Sequence, residues 1–106
     1  METLRFDLTG GTRSLAGAQL VGVVGSGNLE VLIEHQDLGG GCAVEISTAA
    51  HGFGTIWEAV VRDFHARWQL ADARIAINDM GATPAVVSLR LDQAAELTTG
   101  STGDAP

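Results

Sequence analysis

The sequence predicts an α+β domain: a mainly antiparallel four- to five-stranded sheet with two helices packed on one face. Three observations predict it. Short runs of alternating apolar and polar residues, separated by glycines, fill the first half of the chain. A four-residue period takes over after Thr55, and a further alternating run and a proline-started segment follow. A length of 106 residues with 45% hydrophobic content allows one domain, expected over residues 1–97, with the small polar stretch 98–106 predicted to be a disordered tail.

The first strand is Leu4 to Leu8, where Leu4, Phe6 and Leu8 alternate with Arg5 and Asp7. Gly10-Gly11 interrupts it. Ala16 to Val24 is a nearly continuous small and β-branched run ending at Gly25, which reads as a more buried second strand. Gly25-Ser26-Gly27-Asn28 is a dense turn signal. Beyond it Leu29, Val31 and Ile33 alternate with outward Glu30 and Glu34, predicting a hairpin with its tip at Ser26.

Gly39-Gly40-Gly41 precedes a fourth strand in which Cys42, Val44 and Ile46 alternate with Ala43, Glu45 and Ser47. Thr55-Ile56-Trp57-Glu58 has the form of a capping box, and Ile56, Val60, Phe64 and Trp68 recur at four-residue steps as the apolar stripe of a helix running to about Gln69. Ile75 and Ile77 flank Ala76 in a short fifth strand closed by Asn78-Asp79-Met80-Gly81. The segment from Thr83 to Leu97 alternates in part. Thr83-Pro84, however, is a helix start with proline at the first helical position, and Leu91 to Leu97 is rich in helix formers, so helix is predicted. Outward Glu30, Glu34 and Glu45 predict that the sheet face away from the helices is wet.

Composition excludes several function classes. Thirteen acidic residues stand against six basic ones, a net charge of −7, and all six cations are arginine. An acidic surface repels phosphate backbones, which disfavours nucleic acid as a partner and favours docking onto basic partners. Without lysine there is no Schiff base and no P-loop. The single cysteine, Cys42, rules out an intramolecular disulfide and fits a reducing cytoplasm. The acidic start Met1-Glu2-Thr3-Leu4-Arg5-Phe6-Asp7 lacks the pattern of a signal peptide, and no apolar run approaches the ~20 residues of a membrane span.

Among side chains that could carry chemistry, Ser26 stands out because Gly25 and Gly27 remove the bulk that would crowd its hydroxyl. Turn chemistry alone accounts for the same residue types. A hydrolase elbow needs Gly-x-Ser-x-Gly between strand and helix, and the Gly-Ser-Gly here lies between two strands. Nor does a helix follow to receive a dinucleotide pyrophosphate. His35, His51 and His65 fall in three different elements, which favours neither a triad nor a metal site. Cys42 at a strand start reads as a semi-buried hydrophobe, Asp79 as a turn residue, and Trp57 and Trp68 as core. From the residues alone, a small interaction or regulatory module with no prosthetic group stays open beside a carrier role.

Two segments carry a family resemblance. Val23-Val24-Gly25-Ser26-Gly27-Asn28-Leu29-Glu30-Val31-Leu32 and Asn78-Asp79-Met80-Gly81-Ala82-Thr83-Pro84, in this order and with a tryptophan-bearing helix between them, resemble the acyl carrier (delta) subunits of malonate decarboxylase. A more distant similarity runs to the acyl carrier subunit of citrate lyase. The resemblance covers nearly the whole chain to about Leu97. It implies a cytoplasmic, non-catalytic carrier with a 2′-(5″-phosphoribosyl)-3′-dephospho-coenzyme A group attached through a phosphodiester to Ser26, in the turn flanked by Gly25 and Gly27. It further implies acetyl and malonyl thioesters on that arm. The implied partners are the transferase (alpha) and decarboxylase (beta/gamma) subunits, together with the transferase that installs the group. No catalytic residue, metal, nucleic acid or membrane is implied. The Asp-Ser-Leu helix start of the common helical carriers is absent.

Overall fold

The computed structural model describes the backbone of residues 1–14, 22–26 and 28–99, and their side chains except those of 14, 22–26, 97 and 99. The elements are β1 (Glu2–Leu8), β2 (Arg13–Ser14), β3 (Gly22–Ser26), β4 (Leu29–His35), β5 (Cys42–Thr48), α1 (Gly54–Trp68), β6 (Leu70–Ala71), β7 (Ala73–Asp79) and α2 (Pro84–Thr99). β1, β5, β7, β4 and β3 form one five-stranded sheet in that order, and β2 and β6 a small parallel ladder beside it.

The α+β class is as the sequence predicts, but the sheet is mixed. Three neighbouring pairs are antiparallel, while β5 and β7 run parallel. The 15-residue α1 lies between those two strands in sequence. A crossover of that length returns the chain to the end where it started, which is what a parallel pair requires. The alternation in the strands places Leu29, Val31, Ile33, Val44, Ile46, Ile75 and Ile77 in one core with Trp57, Phe64, Trp68, Val87 and Leu91 from the helices. The other face is polar as expected: Arg74 bonds Glu34 at 2.9 Å and Glu45 at 2.6 Å, and Asn78 donates to Glu30 at 3.2 Å. These half-exposed ion pairs contribute about 0–1 kcal/mol each, so burial on the helix side supplies most of the stability.

Two details of α1 differ from the sequence reading. Phe53 is the N-cap residue and makes no side-chain capping bond, so Thr55 and Glu58 lie inside the helix and form no capping box. Glu58 instead accepts from Arg62, four residues on, at 3.0 Å. The buried stripe is Trp57, Val61, Phe64 and Trp68, whereas Ile56 is exposed and Val60 only partly buried. With 3.6 residues per turn, Ile56, Val60, Phe64 and Trp68 sweep about 120° around the helix, while the observed set stays within about 60°. The narrower set also buries a second indole.

β7 and β4 are longer than the runs that announce them, and the second strand begins within the described residues only at Gly22. The expected stretch from Ala16 to Val21 lies outside the described residues. α2 is a helix, as the Thr83-Pro84 start predicts: Thr83 Oγ1 accepts from the Val86 amide at 3.3 Å. It runs past the expected boundary at Leu97, and Thr98 is buried with its hydroxyl donating to the carbonyls of Ala94 and Ala95. Residues 100–106 of the expected tail lie outside the described residues. Asp92 ties the helices together, accepting from Trp68 Nε1 and Arg67, each at 2.9 Å. The β2–β6 ladder forms where Gly11 passes so close to Leu70 and Gly40 that a Cβ would overlap their carbonyl oxygens. Among the described residues no helix is long and apolar enough to cross a membrane.

Candidate functional site

The two segments singled out in the sequence meet at one end of the sheet. Among the described residues β3 is an edge strand, and its last residue, Ser26, pairs with Leu29, the first residue of β4. Gly25 pairs with Glu30. Two positions, 27 and 28, separate the strands. Asn28 is an exposed turn residue, so the tip is one to two residues beyond the Ser26 position read from sequence. Gly27 lies outside the described residues, as do the side chain of Ser26 and with it the expected exposure of its hydroxyl.

The next strands continue the same row. Leu29 pairs on its other side with Asp79, the last residue of β7, and Asp79 pairs in turn with Thr48 of β5. The Asn28 carbonyl accepts from the Met80 amide at 2.9 Å, so the hairpin turn is tied to the β7–α2 loop. Asp79 organises that loop. It is 3% exposed, and its carboxylate accepts from the Thr48 hydroxyl at 2.8 Å and from the amides of Ala82 at 2.8 Å and Gly81 at 3.2 Å. This is the turn role that Asn-Asp-x-Gly predicts. Gly81 has φ +118°, a conformation other residues rarely adopt.

Below this loop lies a pocket of about 290 Å³, lined by Phe53, Ile56, Trp57 and Val60 of the α1 end and by Ala82 and Val87 of the α2 end, with Asp79 at its margin. Sequence reading missed it because its walls come from segments some thirty residues apart, each of which reads as ordinary helix start or loop. Trp57 serves both as core and as pocket wall; Trp68 is core only.

The remaining candidates lie elsewhere. Cys42 is buried, and burial pushes its thiol up to about 12, which leaves it a structural hydrophobe. His65 Nε2 is 3.0 Å from the Thr9 carbonyl, far along α1. His35, Asp37 and Asp72 bring potential ligand atoms within 4.8 Å of one another at the far end of β4, a grouping invisible in sequence because Asp72 is remote from the other two. Asp72 is already engaged: its Oδ1 accepts from the amides of Leu38 and Gly40, and those bonds hold its carboxyl below the usual range.

The chain is similar to known proteins over most of its length. Residues 16–98 match the family model of the malonate decarboxylase delta subunit (MdcD), an acyl carrier family. The malonate decarboxylase acyl carrier protein of Xanthomonas campestris pv. campestris strain B100 is 60% identical over 103 residues, covering 95% of this chain and 98% of that one. The corresponding protein of Burkholderia cepacia is 64% identical over 96 residues, covering 90% and 88%. A chain in the crystal structure of a Pseudomonas malonate decarboxylase hetero-tetramer in complex with malonate superposes with a TM-score of 0.71 at 39% identity, covering 92% of this chain and 98% of that chain. The match extends from the hairpin through the Asp79 loop to the end of α2, and the chain belongs to the family of malonate decarboxylase delta subunits, the acyl carrier proteins of that enzyme.

Proposed function

We propose that this chain carries acetyl and malonyl groups for malonate decarboxylation on a 2′-(5″-phosphoribosyl)-3′-dephospho-coenzyme A arm joined to Ser26 by a phosphodiester. The observation that carries the reading is the placement of Ser26 at the end of β3, beside an exposed turn that is pinned to the Asp79 loop. An attachment residue must be reachable by the transferase that installs the group, and a strand terminus beside an exposed turn residue offers such an approach. Gly25 and Gly27 on either side keep that approach free of side chains.

When bound, the group supplies a terminal thiol that holds the acyl unit as a thioester. The chain's own contribution is positional. A tethered thioester is presented to each partner site at a high effective concentration instead of having to diffuse there, provided both sites are within reach. The hairpin sets the point of departure, and the Asn28–Met80 hydrogen bond together with the Asp79 bonds keeps that end of the sheet in one shape. The partners are the transferase (alpha) and decarboxylase (beta/gamma) subunits, and the net charge of −7 favours approach to basic surfaces on them in the cytoplasm.

Reconstitution of the complex with Ser26→Ala tests the reading. The variant is expected to melt like the wild type and to abolish malonate-dependent release of carbon dioxide. Full activity with the variant would leave a carrier-free module as the description of this chain.

A further inference from the structure

The pocket beside Asp79 is open where a core would be closed. Phe53 is 47% exposed and Ile56 44%, although both belong to its wall, while Trp57 and Val87 behind them are buried. An apolar recess with a half-covered rim lacks a cover. Its volume of about 290 Å³ lies at the lower limit of small-molecule sites, which run from roughly 300 Å³. It suits the end of a chain better than a whole cofactor.

Its electrostatics are one-sided. Among the described residues no arginine or histidine lines it, and the single ionisable group at its margin is the Asp79 carboxylate. Three donors already occupy that carboxylate, so it stays where it is when a ligand enters. A small apolar group gains by entering such a recess. A carboxylate entering it would lose its hydration, find no cation and meet a like charge.

The position fits one occupant. Ser26 and Asp79 are separated by two strand spacings through Leu29, about 10 Å between backbones. An arm of pantetheine length spans more than that. We infer that the pocket walled by Phe53, Ile56, Val60, Ala82 and Val87 shelters the acetyl thioester end of the arm and rejects the malonyl end, so that the acyl group itself decides whether the arm is folded back or free. The inference rests on attachment at Ser26. The acetyl form is thereby shielded from water and stray nucleophiles between turnovers, and the malonyl form is released toward the decarboxylase site.

The test uses the loaded protein in free-thiol, acetyl and malonyl forms, with loading first verified by intact mass. Methyl signals of Ile56, Val60 and Val87 are followed by NMR, and cleavage of each thioester by hydroxylamine is timed against the same thioester of free coenzyme A. Acetylation is expected to shift these methyls and to slow cleavage about fourfold, the value of burying one methylene-sized group. Malonylation is expected to do neither, and Ile56→Glu, at an exposed position, is expected to remove the acetyl protection. Acetyl and malonyl forms that behave alike in both measurements would overturn the pocket assignment and leave the carrier reading intact. Failure of Ser26 to load would overturn both.

Discussion

Ser26 and Asp79 are second neighbours across the sheet: Leu29 pairs with Ser26 on one side and with Asp79 on the other. Two short sequence segments some fifty residues apart are thereby brought to one end of the fold, and the Asn28–Met80 hydrogen bond joins the loops that follow them. A hairpin that presents an attachment point must not slip in register, since a one-residue shift would turn every side chain of the strand to the other face. The Asn28–Met80 hydrogen bond ties the hairpin turn to the β7–α2 loop, and the Asp79 carboxylate holds that loop in place.

Asp79→Ala is accordingly expected to destabilise the protein by about 2–4 kcal/mol, because it leaves the Thr48 hydroxyl and the Gly81 and Ala82 amides without their buried acceptor. Asp79→Asn, which keeps one acceptor oxygen, should lose less. Urea unfolding of the three proteins checks the order. A change below about 0.5 kcal/mol for Asp79→Ala would show that the loop is held by other contacts.

Cys42 is expected to resist alkylation in the native protein. Its thiol, raised to about 12 by burial, carries almost no thiolate at pH 8. Iodoacetamide at that pH should label Cys42 only after denaturation, so that a thiol on the arm is the reactive one in loaded protein. Rapid native labelling at Cys42 would contradict the packing of β5 against the core.

Asp72 makes an acid-dependent contribution. Its carboxyl is held below the usual carboxylate range by the Gly40 and Leu38 amides. The folded state therefore favours the ionised form. The stabilisation is fully present above the unfolded value and is lost as pH falls through the lower folded value. Asp72→Ala should lower the urea midpoint at pH 7 and converge on the wild type under strong acid. A difference that is constant from pH 7 to pH 2 would mean that Asp72 acts through its backbone, which has φ +56°, instead of its charge.

Most strands and α1 were legible from their periods, α2 from its Thr83-Pro84 start and its helix formers, and the wet face from Glu30, Glu34 and Glu45. What was not legible depends on partners distant in sequence. The two-residue strands at Arg13 and Leu70 are too short to show a period. The parallel pairing of Cys42–Thr48 with Ala73–Asp79 is set by the helix between them, not by their residues. The exposure of Ile56 follows from the helix phase chosen by Trp57 and Val61. Of the candidate site, Ser26 and Asp79 were visible as turn residues, while their adjacency through Leu29 and the pocket between the helix starts exist only once the chain is folded.

The most direct measurement localises the arm on protein matured in its natural host. Trypsin cuts after Arg13 and a glutamate-specific protease after Glu30, which releases Ser14–Glu30 with Ser14 and Ser26 as its two serines. Fragmentation of that peptide is predicted to place a phosphoribosyl-dephospho-coenzyme A adduct on Ser26. An unmodified peptide, or an adduct on Ser14 or in another part of the chain, would contradict the account.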